Sequence, residues 1–142
     1  MKRWFAFLGL LAAMTLPQVF AADLARTPSP ANAKVYIISP KNGAAVHGPF
    51  IVRFGLSGMG VAPAGTVAEN TGHHHLVIDS PLPPMDQPLP KDDNHLHFGK
   101  GQTETELTLK PGKHTLQLVL ADANHVPHDP PVVSEKITIQ VK

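Results

Sequence analysis

Twelve prolines fall between residues 40 and 131, at positions 40, 49, 63, 81, 83, 84, 88, 90, 111, 127, 130 and 131. Each fixes φ near −65° and lacks a backbone N–H, so each one placed inside a helix costs about 3 kcal/mol or more. No window carries apolar residues at helical spacing for three turns, so helix is expected to be minimal. Short strands are what fits between the prolines. Runs rich in Val, Ile, Leu and Thr recur at intervals of about ten residues, over 34–39, 50–57, 73–79, 95–98, 103–109, 113–122 and 133–141. These seven runs predict an all-β fold, an immunoglobulin-like antiparallel β-sandwich spanning residues 34–142.

The clearest strand starts at Lys113. Leu116, Leu118 and Leu120 alternate with Thr115, Gln117 and Val119, which predicts one buried face and one semi-polar face. Lys110-Pro111-Gly112-Lys113 has Pro and Gly where a type II turn needs them, and predicts a hairpin between 103–109 and 113–122. Three connections are long: 58–72, the five-proline segment 80–94, and 123–131. Loops of this length in a small domain are either functional or plain surface excursions.

The N-terminus reads as a removable address. Lys2 and Arg3 precede an apolar stretch from Trp4 to Leu16, and Val19-Phe20-Ala21 resembles a signal-peptidase site, so residues 1–21 are expected to be a signal peptide. The apolar stretch is shorter than the roughly 20 residues a spanning helix needs. The expected product is periplasmic or secreted, with no membrane anchor after cleavage, and its residues 22–33 read as a flexible lead-in. Its ten basic and eleven acidic side chains would leave a formal charge of −1. Such a balance excludes the basic stripe that nucleic-acid binding requires.

Histidine is the compositional outlier, with nine among 142 residues. His73 and His75 share one face of a strand with Val77, while His74 shares the other with Leu76 and Ile78. His95 and His97 repeat the His-x-His spacing, and His125 and His128 lie in the 123–131 loop. Paired imidazoles on a strand face suit Cu(II) or Zn(II), whose nitrogen ligands lie about 2.0 Å from the metal. In immunoglobulin-like order these residues fall at one pole, with His47 and His114 at the other. The expected metal ligands are therefore His73, His75, His95, His97, His125 and His128, and the expected cofactor is a copper or zinc ion. The alternative is a hydrogen-bonded histidine network that knits loops together without metal. His74 and His114 read as hydrogen-bonded residues at the core edge and His47 as a turn residue. Asp79, Asp122 and Asp129 are candidates either to fix imidazole tautomers or to cap turns.

Other chemistries find less support. There is no Cys for a thiolate nucleophile or a blue-copper site, no Gly-x-Ser-x-Gly elbow and no phosphate loop. Met59 and Met85 are candidate soft ligands, and Glu69 and Glu104 are candidate bases only by nearness in sequence.

Three blocks carry a family likeness. They are Gly72-His73-His74-His75-Leu76-Val77-Ile78-Asp79, then His95-Leu96-His97-Phe98-Gly99-Lys100-Gly101-Gln102-Thr103-Glu104, then Leu109-Lys110-Pro111-Gly112-Lys113-His114-Thr115-Leu116-Gln117-Leu118. From about Val35 to Val141 the chain resembles the domain-of-unknown-function family 4399, small exported bacterial domains with no assigned activity. The resemblance implies a periplasmic location and draws attention to the histidines within the blocks, His114 among them. Two functional expectations follow. One is a transition-metal protein, copper before zinc, for storage, delivery or protection. The other is an accessory module that recognises a small ligand or periplasmic partner through its Pro-rich loops. A small metalloenzyme is a third, weaker option.

Overall fold

The computed structural model describes residues 25–142. The expected signal peptide and residues 22–24 lie outside the described residues. Nine strands form two sheets: β1 (Lys34–Ser39), β2 (Ala45–Val46), β3 (Phe50–Ser57), β4 (Gly60–Val61), β5 (Thr71–Ile78), β6 (His95–His97), β7 (Glu104–Leu107), β8 (Gly112–Ala121) and β9 (Ile137–Val141). Among the described residues there is no helix, as the prolines dictate. The two strands beyond the expected seven, β2 and β4, are two-residue pairings that the sequence does not mark.

One sheet has the order β1-β3-β7; the other runs β2-β9-β8-β5-β4, with β6 also paired to β5. Val35, Val52, Phe54 and Leu107 from the first sheet meet Leu76, Ile78, Leu116, Leu118, Leu120 and Ile139 from the second in one core. The fold is therefore an all-β sandwich. A constant-type immunoglobulin order sets the fourth strand beside the fifth. Here β6 pairs with β5 in the larger sheet, while β7 pairs with β3 in the smaller one.

The expected hairpin at Lys110–Lys113 is corrected by this pairing. Gly112 does adopt a positive φ of 142°, but the turn carries the chain from one sheet to the other. With β5 and β9 flanking β8, no edge of β8 is left for β7.

The second face of β8 keeps its polar Thr115 and Gln117, but from Gln117 onward it is buried. Val77, Leu89, Val119 and Ala121 form a small apolar cluster on the outer side of the sheet, with Met85 and Val133 packed against it. Leu89 and Met85 belong to the Pro-rich 80–94 loop, so that loop serves as a cover. A β5 buried on both faces follows, and the histidines on its outer face are buried with it.

Residues 25–33, expected as a flexible lead-in, are tied along the 122–130 loop. Asp129 N donates to Thr27 O at 2.9 Å and Ser29 N to Asp129 O at 3.1 Å. Ser29 Oγ donates to Pro130 O at 2.7 Å, and the Arg26 guanidinium donates to the carbonyls of Pro127 and His128.

Candidate metal centre

Strand register alone aligns three of the imidazoles. His75 lies directly opposite His97, and His73 is two residues along the same face of β5. On the other flank His73 is paired with Ala121 and His75 with Val119, small neighbours that leave room above the sheet. Gly99 makes room for the third ring: a Cβ there would lie 2.6 Å from His97 Nε2 and collide with Cε1.

The fourth imidazole comes from a turn. Asp122, 5% exposed, accepts from Asn124 N at 2.8 Å and from Val126 N at 3.1 Å through Oδ1, while His125 N donates to Asp122 O at 3.0 Å. That turn holds His125 at φ 67°, in the left-handed region, which costs a non-glycine residue roughly 1–2 kcal/mol. His125 O in turn accepts from Leu89 N at 2.9 Å, which fastens the turn to the Pro-rich cover.

The rings of His73, His75, His97 and His125 pack with centroids 4.8–6.1 Å apart in every pairing. His73, His97 and His125 each offer one ring nitrogen, and these lie within 4.8 Å of one another. Tetrahedral nitrogens bound at about 2.0–2.1 Å sit about 3.3 Å apart, so side-chain rotations of an ångström or so close this group on an ion. His97 Nε2 is buried without a hydrogen-bond partner, as a waiting ligand atom would be. His75 Nε2 lies 3.0 Å from His73 Nε2, and its Nδ1 is buried and unpartnered. The group formed by His73, His97 and His125 can hold a metal ion, with His75 as its floor.

Burial favours the neutral form of His73, His75 and His97. Desolvation, followed by the nearby His125 and His97, lowers the pKa of His73 from 6.5 to about 4. Desolvation and then His73 lower that of His75 to about 2, and burial also pulls His97 below its ordinary value. A neutral imidazole has a free lone pair, which is what coordination requires.

Three expected ligands are not in this group: His75, whose ring packs beside it, and His95 and His128. His95 Nδ1 donates to Asp92 Oδ1 at 2.8 Å, two pairings farther along β6 and opposite Val77. His128 is fully buried below Gly72, and its Nε2 meets Thr71 O at 3.1 Å. Its ring packs the loop against β5, and the Arg26 guanidinium donates to its backbone carbonyl.

The remaining residues divide by their contacts. His74 lies in the inter-sheet core against Phe54, with ring centroids 5.2 Å apart. Neither of its ring nitrogens makes a hydrogen bond of ordinary geometry, and desolvation lowers its pKa to about 4 despite the nearby Gln102 backbone. It is thus a core residue, without the hydrogen bond expected of it. His114 Nδ1 meets Asp79 Oδ2 at 2.6 Å and its Nε2 meets Lys110 O at 2.8 Å, far along β8 from the cluster. Asp79 therefore serves His114 and the Thr115 N–H, while Asp129 pairs with Arg26 at 3.3 Å. His47 is exposed. Met59 packs in the main core, Glu69 is exposed, and Glu104 pairs with Arg53 at 3.1 Å on the other sheet. Of the two roles expected for Asp122 the structure shows the turn cap, while Gly99 was not singled out. The Gly that follows His-Leu-His-Phe was the available signal for the latter.

The sequence profile of a family described as Domain of unknown function (DUF4399) matches residues 52–142, a span that contains all four clustered histidines. No curated protein and no solved structure matches the chain.

Proposed function

This chain belongs to the DUF4399 family, and we propose that within it the protein binds one transition-metal ion, copper before zinc, through His73, His97 and His125. The observation that carries the reading is the convergence of three ring nitrogens within 4.8 Å, one on the buried His73 and two on the partly buried His97 and His125. All donors are imidazoles, with no thiolate available, and for such ligands Cu(II) ranks above Zn(II) in affinity. Three protein ligands leave a coordination position open, which suits uptake and release better than a closed structural site. Storage, delivery or protection in the periplasm is the role we assign, on the strength of that open position and the signal-like N-terminus. The accessory-module reading is less favoured because the 80–94 loop, its intended recognition surface, is spent covering the sheet with Leu89 and Met85.

Untagged protein isolated from the periplasm should carry about one metal ion per chain by elemental analysis, and His73→Ala should abolish it. Calorimetry at pH 7.5 with Cu(II) and Zn(II) is the direct check. No binding tighter than about 10 µM, equivalent to about −7 kcal/mol, would remove the reading.

A further inference from the structure

His73 and His75 are only 1% and 2% exposed, so an ion cannot reach them directly from solvent. The partly exposed members of the group are His97 and His125. A cavity of about 420 Å³ runs along β6, lined by Lys91, Asp92, Asp93, His95, Leu96, His97 and Phe98. Its two histidines are the residues that β-strand alternation sets on one face, about 6.6 Å apart along the chain. One of them, His97, is also a member of the metal group.

The geometry points to His95 as a transfer ligand, which takes a divalent copper or zinc ion from the cavity and passes it to His97 and the buried group. This rests on the function proposed above. Asp92 is the reason His95 suits the task. Its Oδ1 also accepts from Asn94 N at 2.9 Å, and a carboxylate accepts only, so in the neutral ring the one proton of His95 sits on Nδ1. Nε2 is then a bare lone pair, and among the described residues it makes no hydrogen bond. This is the carboxylate–histidine arrangement that presets a ligand nitrogen for a metal. At the inner end His97 Nε2 is buried and unpartnered. Two carboxylates, Asp92 and Asp93, line the cavity against one ammonium, Lys91, so the mouth favours a cation. His95 is not a resident ligand, because its ring is turned to Asp92 and stands outside the four-ring contact set.

A residue touched only in transit lowers the barrier in both directions and leaves the equilibrium unchanged. Stopped-flow exchange of Zn(II) with a chromophoric chelator measures both directions. For His95→Ala we expect loading and unloading each slowed about tenfold, with Kd and the one-ion stoichiometry as in the parent protein. Asp92→Asn, which removes the tautomer lock but keeps the imidazole, should slow both by a smaller factor. Unchanged rates in both variants would overturn the transfer role while leaving the metal site intact. A weakened Kd in His95→Ala would overturn it as well, by making His95 a resident ligand. A parent protein that takes up no Zn(II) or Cu(II) would overturn both the transfer role and the proposed function.

Discussion

Thr27 Oγ1 donates to Asp122 Oδ2 at 2.7 Å, so a residue of the N-terminal segment holds the carboxylate whose other oxygen shapes the His125 turn. The two oxygens divide the work: one ties the segment down and the other caps two backbone N–H groups. Removing the carboxylate leaves those N–H groups without their acceptor, at about 1–3 kcal/mol each when buried. Asp122→Ala should therefore destabilise by about 3 kcal/mol in urea denaturation and weaken metal binding at least tenfold, because His125 loses its fixed left-handed conformation. Thr27→Val removes only the outer bond and should cost about 1 kcal/mol. Equal effects of the two substitutions would show that the turn does not depend on the capping oxygen.

His114 gives a pH dependence of opposite sign to that of the cluster. Both of its ring nitrogens face acceptors, Asp79 Oδ2 and Lys110 O, an environment that favours the doubly protonated ring. The Asp79 hydrogen bond is the main cause of its pKa being raised above 6.5. A group with a raised folded pKa contributes stability that is fully present below the unfolded value of about 6.5 and is lost as pH rises through the folded value. The His114 Cε1 proton should titrate above 6.5 by NMR, and Asp79→Asn should bring the midpoint down. A midpoint at or below 6.5 in the parent protein would contradict this account.

The buried cluster behaves the other way. His73, with a pKa of about 4, and His75, lower still, stay neutral while the unfolded chain takes up protons below 6.5. Stability present above pH 6.5 should fall as pH drops from 6.5 towards 4. Urea midpoints of metal-free protein at pH 7.5, 5.5 and 4.5 test this, and the slope should be shallower in His73→Phe. The same depression means that protons compete with a metal for His73 and His97 at lower pH than the value near 6.5 expected of a free imidazole. A midpoint that stays constant down to pH 4.5 would exclude neutral burial.

Strand positions were legible because period-two alternation and proline spacing are local signals. His73 and His75 on one face, with His74, Leu76 and Ile78 on the other, follow from alternation alone. The meeting of His125 with that face was expected from topology, and the ring contacts of 5.1 Å to His73 and 4.8 Å to His97 agree with it. Alternation could not separate His95 from His97, because both lie on the same face and only the Asp92 contact divides them. Nor could it show that the outer face is buried: that depends on Leu89 reaching back across the sheet, a long-range contact with no periodic mark. The Lys110–Lys113 turn misled for a similar reason, since its residues specify a reversal and not the strand that the chain pairs with afterwards.

Gly99 offers the most selective test of the metal geometry. Its φ is not in the left-handed region, so alanine meets no backbone penalty there, and the added Cβ acts on its surroundings alone. The atoms it meets are Cε1 and Nε2 of His97, with Ala64 Cβ at 3.3 Å, so the ring must swing away to relieve the overlap. His97 is only partly buried, and a displaced ring can move into the cavity along β6 without opening the main core. Gly99→Ala should therefore keep its thermal midpoint within a few degrees of the parent, equivalent to about 1 kcal/mol or less for a domain of this size. Its Cu(II) or Zn(II) affinity should fall about tenfold or more by calorimetry. Retained affinity would mean that His97 reaches the ion from a second rotamer, or is not one of its ligands. A large loss of stability would instead identify the His97 ring as part of the fold's support.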